Sequence, residues 1–546
     1  MAADHREYRH RIRKPLTKKW RWISFAVSLT ILSLAGMSVV VYHAQPLLRE
    51  RVIETLSTRF KSNVELDEFD VSLVKGFEVS GKGLRIFGEQ DPNNHEPGIQ
   101  PIIAVAEFSF HTRVSSLFSS PMHVDTVHIK GLALNLPPRE QRGELRSMSP
   151  KSGKISITVD KFICDDAKLI INTLKPGKLP LEFDIESLRM KSIGPEQPMH
   201  FDAKLTNPRP VGEILSSGSF GPWQPDSPRD TRVSGTYSFE HADLGTIRGI
   251  GGTLSSKGNY DGVLDRIVVD GATETPNFRL AVSGRAVPLH TDFHAIVDGT
   301  TGDTYLQPVR ATLLSTPMVA TGAIVRVKDP NGHHIDLNVT IEKGKIEDLL
   351  RLAVKTEPPV MMGTVHLQTK LDLPPGQAMV SDRLGLRGHF RVSGVHFNNE
   401  KIQSKVDALS MRSQGKPKLA TDNIPDNVQS EMRGVFQLRE GELSFSELHF
   451  RVPGTRVSMT GVYTLDGREF DFHGKARMNA RLSQMVTGWK SVLLKPVDPF
   501  FSKDGAGTEI PIKVTGTEGE PHFGPDFGHK NEHDEAATPP SPPGEH

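Results

Sequence analysis

Apolar and polar residues alternate with a period of two along most of the chain, and this alternation constrains the fold more than any other feature. Ile155, Ile157 and Val159 form one such run, and Val457 and Met459 belong to another. Successive side chains of a β-strand point to opposite faces of a sheet, so the period predicts strands with one apolar face. Asp-Gly and Asn-Gly dipeptides fall between the runs, as hairpins require. The body is therefore predicted to be mainly β, extended and mostly antiparallel.

Helical periodicity is brief, and it is confined to a few short segments such as 346–354 and 481–494. The 546 residues are 36% hydrophobic and 24% charged, as in a folded chain, and the single cysteine excludes an internal disulfide. Lys and Arg number 66 against 65 Asp and Glu, giving a formal net charge of +1. A chain without a basic surplus is not expected to bind nucleic acid.

An uncharged segment, 22–42, predicts a membrane anchor near the N-terminus. As a helix it would span roughly 30 Å, the thickness of the hydrocarbon core of a bilayer. The segment 1–21 before it is rich in Arg and Lys, so the positive-inside rule places the N-terminus in the cytoplasm and the body on the other side. A cleavable signal peptide is the alternative, although Tyr42-His43-Ala44 lacks the small residues of a cleavage site.

The remaining segments follow from local composition. Residues 43–62 have the period of an amphipathic helix, which either lies on the membrane surface or packs one face on the following sheet. Residues 137–153 are charged and contain Pro, Gly and Ser, and residues 524–546 are polar and rich in Pro. The predicted organisation is a basic leader 1–21, a transmembrane helix 22–42, a juxtamembrane helix 43–62, a β module 63–136, a linker 137–153, a β body 154–477, a cap 478–523 and a disordered tail 524–546.

Local motifs for catalysis or metal binding are not found in the sequence. Neither G-x-S-x-G nor H-E-x-x-H is present. Cys164 is followed by two acidic residues, Asp165 and Asp166, which are expected to raise the pKa of its thiol rather than lower it. His333 and His334 are adjacent, so on a strand they would point to opposite faces. We therefore predict no enzyme activity, no cofactor and no metal site.

Several segments of the chain carry a resemblance to a known family. After the charged leader and the apolar segment come the residues 59–69 (RFKSNVELDEF) and 77–86 (FEVSGKGLRI), which are similar to the entry module of AsmA-like proteins. The likeness continues at 104–110, 115–118 and 122–131, and near the end at 470–474 and 510–517 with Pro521. These motifs are architectural, and the middle of the chain matches by pattern only.

The resemblance implies a protein of the Gram-negative envelope, anchored in the inner membrane with its body in the periplasm and related to TamB-type, bridge-like lipid transfer proteins. It implies an elongated, curled sheet that forms a groove, and this groove would bind or conduct phospholipid in support of outer-membrane biogenesis. Phospholipid, the inner membrane and outer-membrane or other envelope proteins are the partners it implies. A scaffold or assembly factor that binds proteins along sheet edges, without lipid transport, is the alternative.

Physical chemistry defines what such a groove needs. Exposing the two acyl chains of a phospholipid to water costs about 20 kcal/mol of free energy. The inward residues of successive strands must therefore stay apolar if they are to cover the chains. A filled β-sandwich core has the same period of two and stays the alternative. The groove candidates are Phe108, Phe110, Phe183, Ile185, Phe278, Leu280, Phe390, Val392, Phe445, Phe450, Phe470 and Phe472.

A second candidate site lies in the segment 481–501. An amphipathic patch that combines Trp with Lys can enter a headgroup region, and a cap over the end of the sheet is the alternative. The membrane-contact candidates are Trp489, Lys490, Val492, Leu493 and Leu494.

Overall fold

The computed structural model describes residues 45–526 with gaps. The residues left out between those ends are 47–48, 51, 55, 58–62, 73–76, 88–100, 114–115, 117–121, 137–156, 172–180, 195–196, 209, 223, 225–227, 300–301, 328–329, 331, 420–427, 466–467, 488–494, 499–506 and 518–519. The structure is 67% strand, with one large mixed sheet of 25 strands and few short helices. The predicted mainly β class is confirmed.

The predicted leader 1–21, transmembrane segment 22–42 and linker 137–153 lie outside the described residues. In the part that is described, no helix combines the length and the apolar character needed to cross a membrane. The chain forms two compact units, Met1–Gln197 and Pro198–His546.

The described part of the first unit contains seven strands. They are β1 (Val64–Glu65), β2 (Glu68–Ser72), β3 (Phe77–Ile86), β4 (Ile103–Thr112), β5 (Met122–Leu136), β6 (Ile157–Ile171) and β7 (Leu181–Ile193). β1 and β2 both pair with β3, and β3, β4 and β5 follow as an antiparallel meander. β5 and β6 are parallel, which makes the sheet mixed, and β6 pairs antiparallel with β7.

A helical segment precedes β1. Its described residues, from Gln45 to Ser57 with gaps, are helical, in agreement with the predicted juxtamembrane helix. Val52 and Ile53 pack against a core in which Leu66 and Phe69 are buried, and the side chain of Gln45 donates to the carbonyl of Phe69. These two helical residues therefore pack on the sheet, one of the two predicted alternatives.

The second unit is a long antiparallel meander. Its strands are β8 (Met199–Pro208), β9 (Val211–Phe220), β10 (Arg232–Asp243), β11 (Ile250–Gly251), β12 (Thr253–Val263), β13 (Arg266–Leu280), β14 (Val287–Val297), β15 (Thr304–Leu313), β16 (Thr316–Val327), β17 (Gly332–Lys345), β18 (Met361–Leu373), β19 (Gly385–Phe397), β20 (Glu431–Arg439), β21 (Glu442–Val452), β22 (Thr455–Thr464), β23 (Glu469–Met478), β24 (Thr508–Thr517) and β25 (Pro521–Pro525). From β12 onward each strand pairs with the next along the chain. β25 reaches into the segment predicted as a tail, and residues 527–546 lie outside the described part.

Among the described residues of the second unit, three α-helices are inserted between strands: α1 (Ile346–Ala353), α2 (Val380–Arg383) and α3 (Glu400–Ser413). α1 corresponds to the predicted helix 346–354. α3 was not predicted, although Asn399 precedes it as an N-cap and accepts hydrogen bonds from the backbone amides of Lys401 and Ile402. Ile346 and Leu349 from α1 and Val406 from α3 pack against a buried cluster at one end of the strands.

Candidate functional site

The sheet of the second unit has two chemically different faces. Residues paired across an antiparallel ladder share a face, so the register shows which side chains lie together. On one face Lys370 Nζ lies 2.8 Å from Asp336 and Arg391 Nε lies 3.2 Å from Glu431, both across strands. The opposite face carries apolar side chains in rows that cross the strands.

One of these rows extends from β17 to β23 without a charged residue. Each member is the register partner of the next, so the side chains form a line across seven strands. This leucine row consists of Leu337, Leu371, Leu386, Leu438, Leu443, Tyr463 and Phe470. With strands about 4.8 Å apart, the row is about 29 Å long.

Aromatic rings form a continuous group beside the leucine row. We call Phe390, Phe436, Phe445, Phe470 and Phe472 the aromatic patch. The centroid of the Phe390 ring lies 6.2 Å from those of Phe436 and Phe445. Phe472 lies 5.7 Å from Phe445 and 6.3 Å from Phe470. Except for buried Phe436, these rings are half-buried, so part of each remains accessible.

Glycines opposite the rings make room for them. A Cβ atom added at Gly434 would lie 2.9 Å from Cε1 of Phe390, and one added at Gly461 would lie 2.5 Å from Cδ1 of Phe472. The rings therefore lean over the backbone of neighbouring strands instead of projecting away from the sheet, an arrangement known to stabilise glycines in sheets. The result is a shallow apolar surface.

The eight groove candidates in the second unit lie on this one face. The ladder registers, including the bulge between Phe445 and Leu448, give them a common side. Val392 and Phe450 are buried in the cluster beneath α1 and α3, so the helices cover this end of the face. The eight are Phe278, Leu280, Phe390, Val392, Phe445, Phe450, Phe470 and Phe472.

The four groove candidates in the first unit have other surroundings. Phe108 and Phe110 pack against the buried cluster of Leu66, Phe69 and neighbours that also receives the N-terminal helix. They contribute to a packed core at that point. Ile185 is half-buried on β7, opposite Ala167, and Phe183 is placed on the same strand.

The apolar face carries hydroxyl groups at β10 and β12. Tyr260 and Tyr237 lie on it, and their hydroxyls bond to Ser216 (2.8 Å) and Ser256 (3.1 Å). Burial raises the pKa of both phenols, so they stay neutral and available as hydrogen-bond donors.

The five membrane-contact candidates lie outside the described residues, so that role stays a prediction. Of the predicted helical segment 481–494, the described part contains one 3₁₀ turn, Leu482–Met485. Met485 is buried with Met478, and Leu482 packs against the same cluster together with Leu409 of α3. This turn therefore packs at the end of β23, and the alternative of a cap over the end of the sheet stays a prediction.

Histidines on the polar face contact carboxylates of neighbouring strands. His290 lies 2.6 Å from Glu274 and 3.1 Å from Asp292, and the pKa of its ring is raised by hydrogen bonds to Asp292 and Glu274. His473 lies 2.6 Å from Asp526, and this hydrogen bond raises the pKa of its ring. Both contacts favour the charged ring.

Another histidine, in the first unit, was missed from the sequence. His123 and Asp125 on β5 meet Asp160 on β6, and one ligand atom from each lies within 4.8 Å of the others. His123 and Asp160 are 37 residues apart. Only the parallel pairing brings them together, although His-x-Asp on a strand was a usable local signal.

Comparison with protein-family models and with curated proteins finds no match for the chain.

Proposed function

We propose that the protein is a non-enzymatic, membrane-anchored lipid-binding protein of the AsmA-like type, and that the apolar face of its second unit holds phospholipid. The leucine row carries the proposal. It is a charge-free line of side chains about 29 Å long, enough for acyl chains that span half of a 30 Å hydrocarbon core. The half-buried aromatic patch beside it supports the same reading, because its rings leave apolar surface for a ligand to cover.

The free energy of acyl chains falls when they leave water, in proportion to the apolar surface that is buried. A shallow surface of leucines and rings leaning over glycines supplies that surface without deep pockets, so it suits chains of varied length. In this proposal the sheet is elongated and curled, its concave side is apolar, and the body lies in the periplasm behind the segment 22–42. Conduction of phospholipid toward the outer membrane belongs to the same proposal.

Photocrosslinking at neighbouring positions on opposite faces tests lipid binding. A photoreactive phenylalanine replaces Phe472 on the apolar face or exposed Asp471 on the polar face, in full-length protein in membranes. We expect phospholipid adducts at position 472 and few at 471. Equal adducts at both positions, or protein adducts alone at 472, would contradict lipid binding, and the second result would favour the scaffold function.

A pair of substitutions gives an independent test. Leu443→Asp places a charge in the leucine row, whereas Val435→Asp places one at a valine that is 40% exposed on the polar face. We expect the first to reduce the phospholipid that copurifies with detergent-extracted protein and the second to leave it unchanged. Circular dichroism checks that both variants fold, and unchanged lipid in folded Leu443→Asp would count against the proposed site.

A further inference from the structure

Two parallel strands of the first unit bring three metal-ligating side chains together. His123 and Asp125 lie two residues apart on β5, so they share a face. Asp160 lies on β6, two residues beyond Thr158, the register partner of His123. The three side chains thus come from the first residues of two strands that no hairpin joins.

The spacing of the three groups fits a single ion. Nε2 of His123 lies 2.9 Å from Oδ2 of Asp160 and 3.6 Å from Oδ1 of Asp125. Two ligands that each lie about 2.0–2.1 Å from a tetrahedral zinc ion are about 3.3 Å apart. The two distances lie on either side of this value, and the three ligand atoms all lie within 4.8 Å of one another, so small side-chain rotations would bring them around one ion.

An unpaired oxygen at the same place points independently to a ligand. Oδ1 of Asp125 is buried and has no hydrogen-bond partner among the described residues. The other oxygen, Oδ2, lies 3.8 Å from Nε of Arg113, whose side chain is 79% exposed. A buried carboxylate oxygen without a partner is costly, and a cation bound to it removes that cost.

The orientation of the histidine ring fits metal binding as well. Nδ1 of His123 lies 3.1 Å from the hydroxyl of Thr158, and a ring that donates there has an unprotonated Nε2. In that tautomer the lone pair of Nε2 faces both carboxylates and is free to bind an ion between them, whereas in the other tautomer Nε2–H donates to Oδ2 of Asp160. In either tautomer Oδ1 of Asp125, 3.6 Å from Nε2, is left without a hydrogen bond.

We propose that His123, Asp125 and Asp160 bind one divalent transition-metal ion that joins the starts of β5 and β6. The imidazole ligand favours zinc and its neighbours in the first transition series over magnesium or calcium. The ion stabilises the parallel pairing, which is slightly weaker per residue than antiparallel pairing. Three protein ligands leave a coordination position for water.

Metal titration of the full-length protein tests the site. The chain is stripped with a chelator and titrated with Zn²⁺ by calorimetry, and with Co²⁺ while its visible absorption is followed. We expect one equivalent of Zn²⁺ to bind to the wild type, with the absorption bands of tetrahedral Co²⁺. His123→Gln should bind Zn²⁺ about 100-fold more weakly, since it removes a direct ligand.

His290→Gln is the matched control. His290 also contacts two carboxylates, but through its two different ring nitrogens, so those contacts cannot surround one ion. We expect this variant to bind Zn²⁺ like the wild type. No Zn²⁺ binding by the wild type, or equal binding by wild type and His123→Gln, would overturn the proposal. If His123→Gln fails to fold, the isosteric Asp125→Asn decides by the same criterion.

Discussion

The ring of Phe472 occupies the space into which a side chain at Gly461 would project. The two residues are register partners on β22 and β23, and a Cβ atom at Gly461 would lie 2.5 Å from the ring and 2.3 Å from the carbonyl oxygen of Asp471. Gly461→Val must therefore displace both the ring and the backbone. We expect it to lower the free energy of unfolding by about 2–3 kcal/mol, measured by urea denaturation. Thr460→Val, exposed on the other face, should change it by less than about 0.5 kcal/mol, and equal effects would contradict the close packing.

Asp348 ties α1 to the turn between β15 and β16. Its buried carboxylate accepts hydrogen bonds from the Ser315 amide (3.1 Å) and hydroxyl (2.8 Å) and from the Thr316 hydroxyl (2.9 Å). Asp348→Ala leaves these donors without their acceptor, so we expect a loss of about 2–4 kcal/mol in the free energy of unfolding. Glu342→Ala, at a side chain that is 81% exposed, is the control and should be near neutral. A loss below about 0.5 kcal/mol for Asp348→Ala would contradict this role.

His473 makes the stability of the second unit depend on pH. The hydrogen bond to Asp526 raises the pKa of the folded ring above its ordinary value of about 6.5, so protonation stabilises the folded state. This contribution is complete below pH ~6.5 and is lost as the pH rises through the raised pKa. We expect His473→Gln to destabilise the protein more at pH 6 than at pH 9, measured by urea denaturation at both values. A larger effect of His473→Gln at pH 9 than at pH 6 would contradict the assigned direction of the shift.

We expect the thiol of Cys164 to be unreactive in the folded protein. Its side chain is 1% exposed, and burial, followed by the charge of Asp165, raises the pKa of the thiol. Because the thiolate is the reactive form, we expect maleimide to label native protein more than about 100-fold more slowly than protein unfolded in guanidinium. Rapid labelling of the native state would show that β6 opens locally.

The alternation of residues was sufficient to predict strands, because one face of each strand is apolar. Val457 and Met459 lie on β22 as expected. The period alone places Phe445 and Leu448 on opposite faces, since they are three residues apart. They share a face because a bulge between them adds a residue, and such a bulge depends on the pairing with β22.

Other features depend on partners distant in sequence. The parallel pairing of β5 and β6 joins strands separated by the segment 137–156, and no local pattern indicates its direction. The contact of His123 with Asp160 follows from that pairing and was missed for the same reason. α3 was missed although Asn399 marks its start, because its apolar residues are few and its neighbours alternate as strands do.

The antiparallel meander of the second unit means that length along the sheet is proportional to length along the chain. Among the described residues, each strand from β14 onward pairs only with the strands before and after it in sequence, so an adjacent pair of strands could be gained or lost there without changing the other pairings. Duplication or deletion of one hairpin would then lengthen or shorten the apolar face by about 10 Å while preserving its apolar and polar sides. The extent of the apolar face can thus change in steps of two strands without a change in the alternation that separates the two faces.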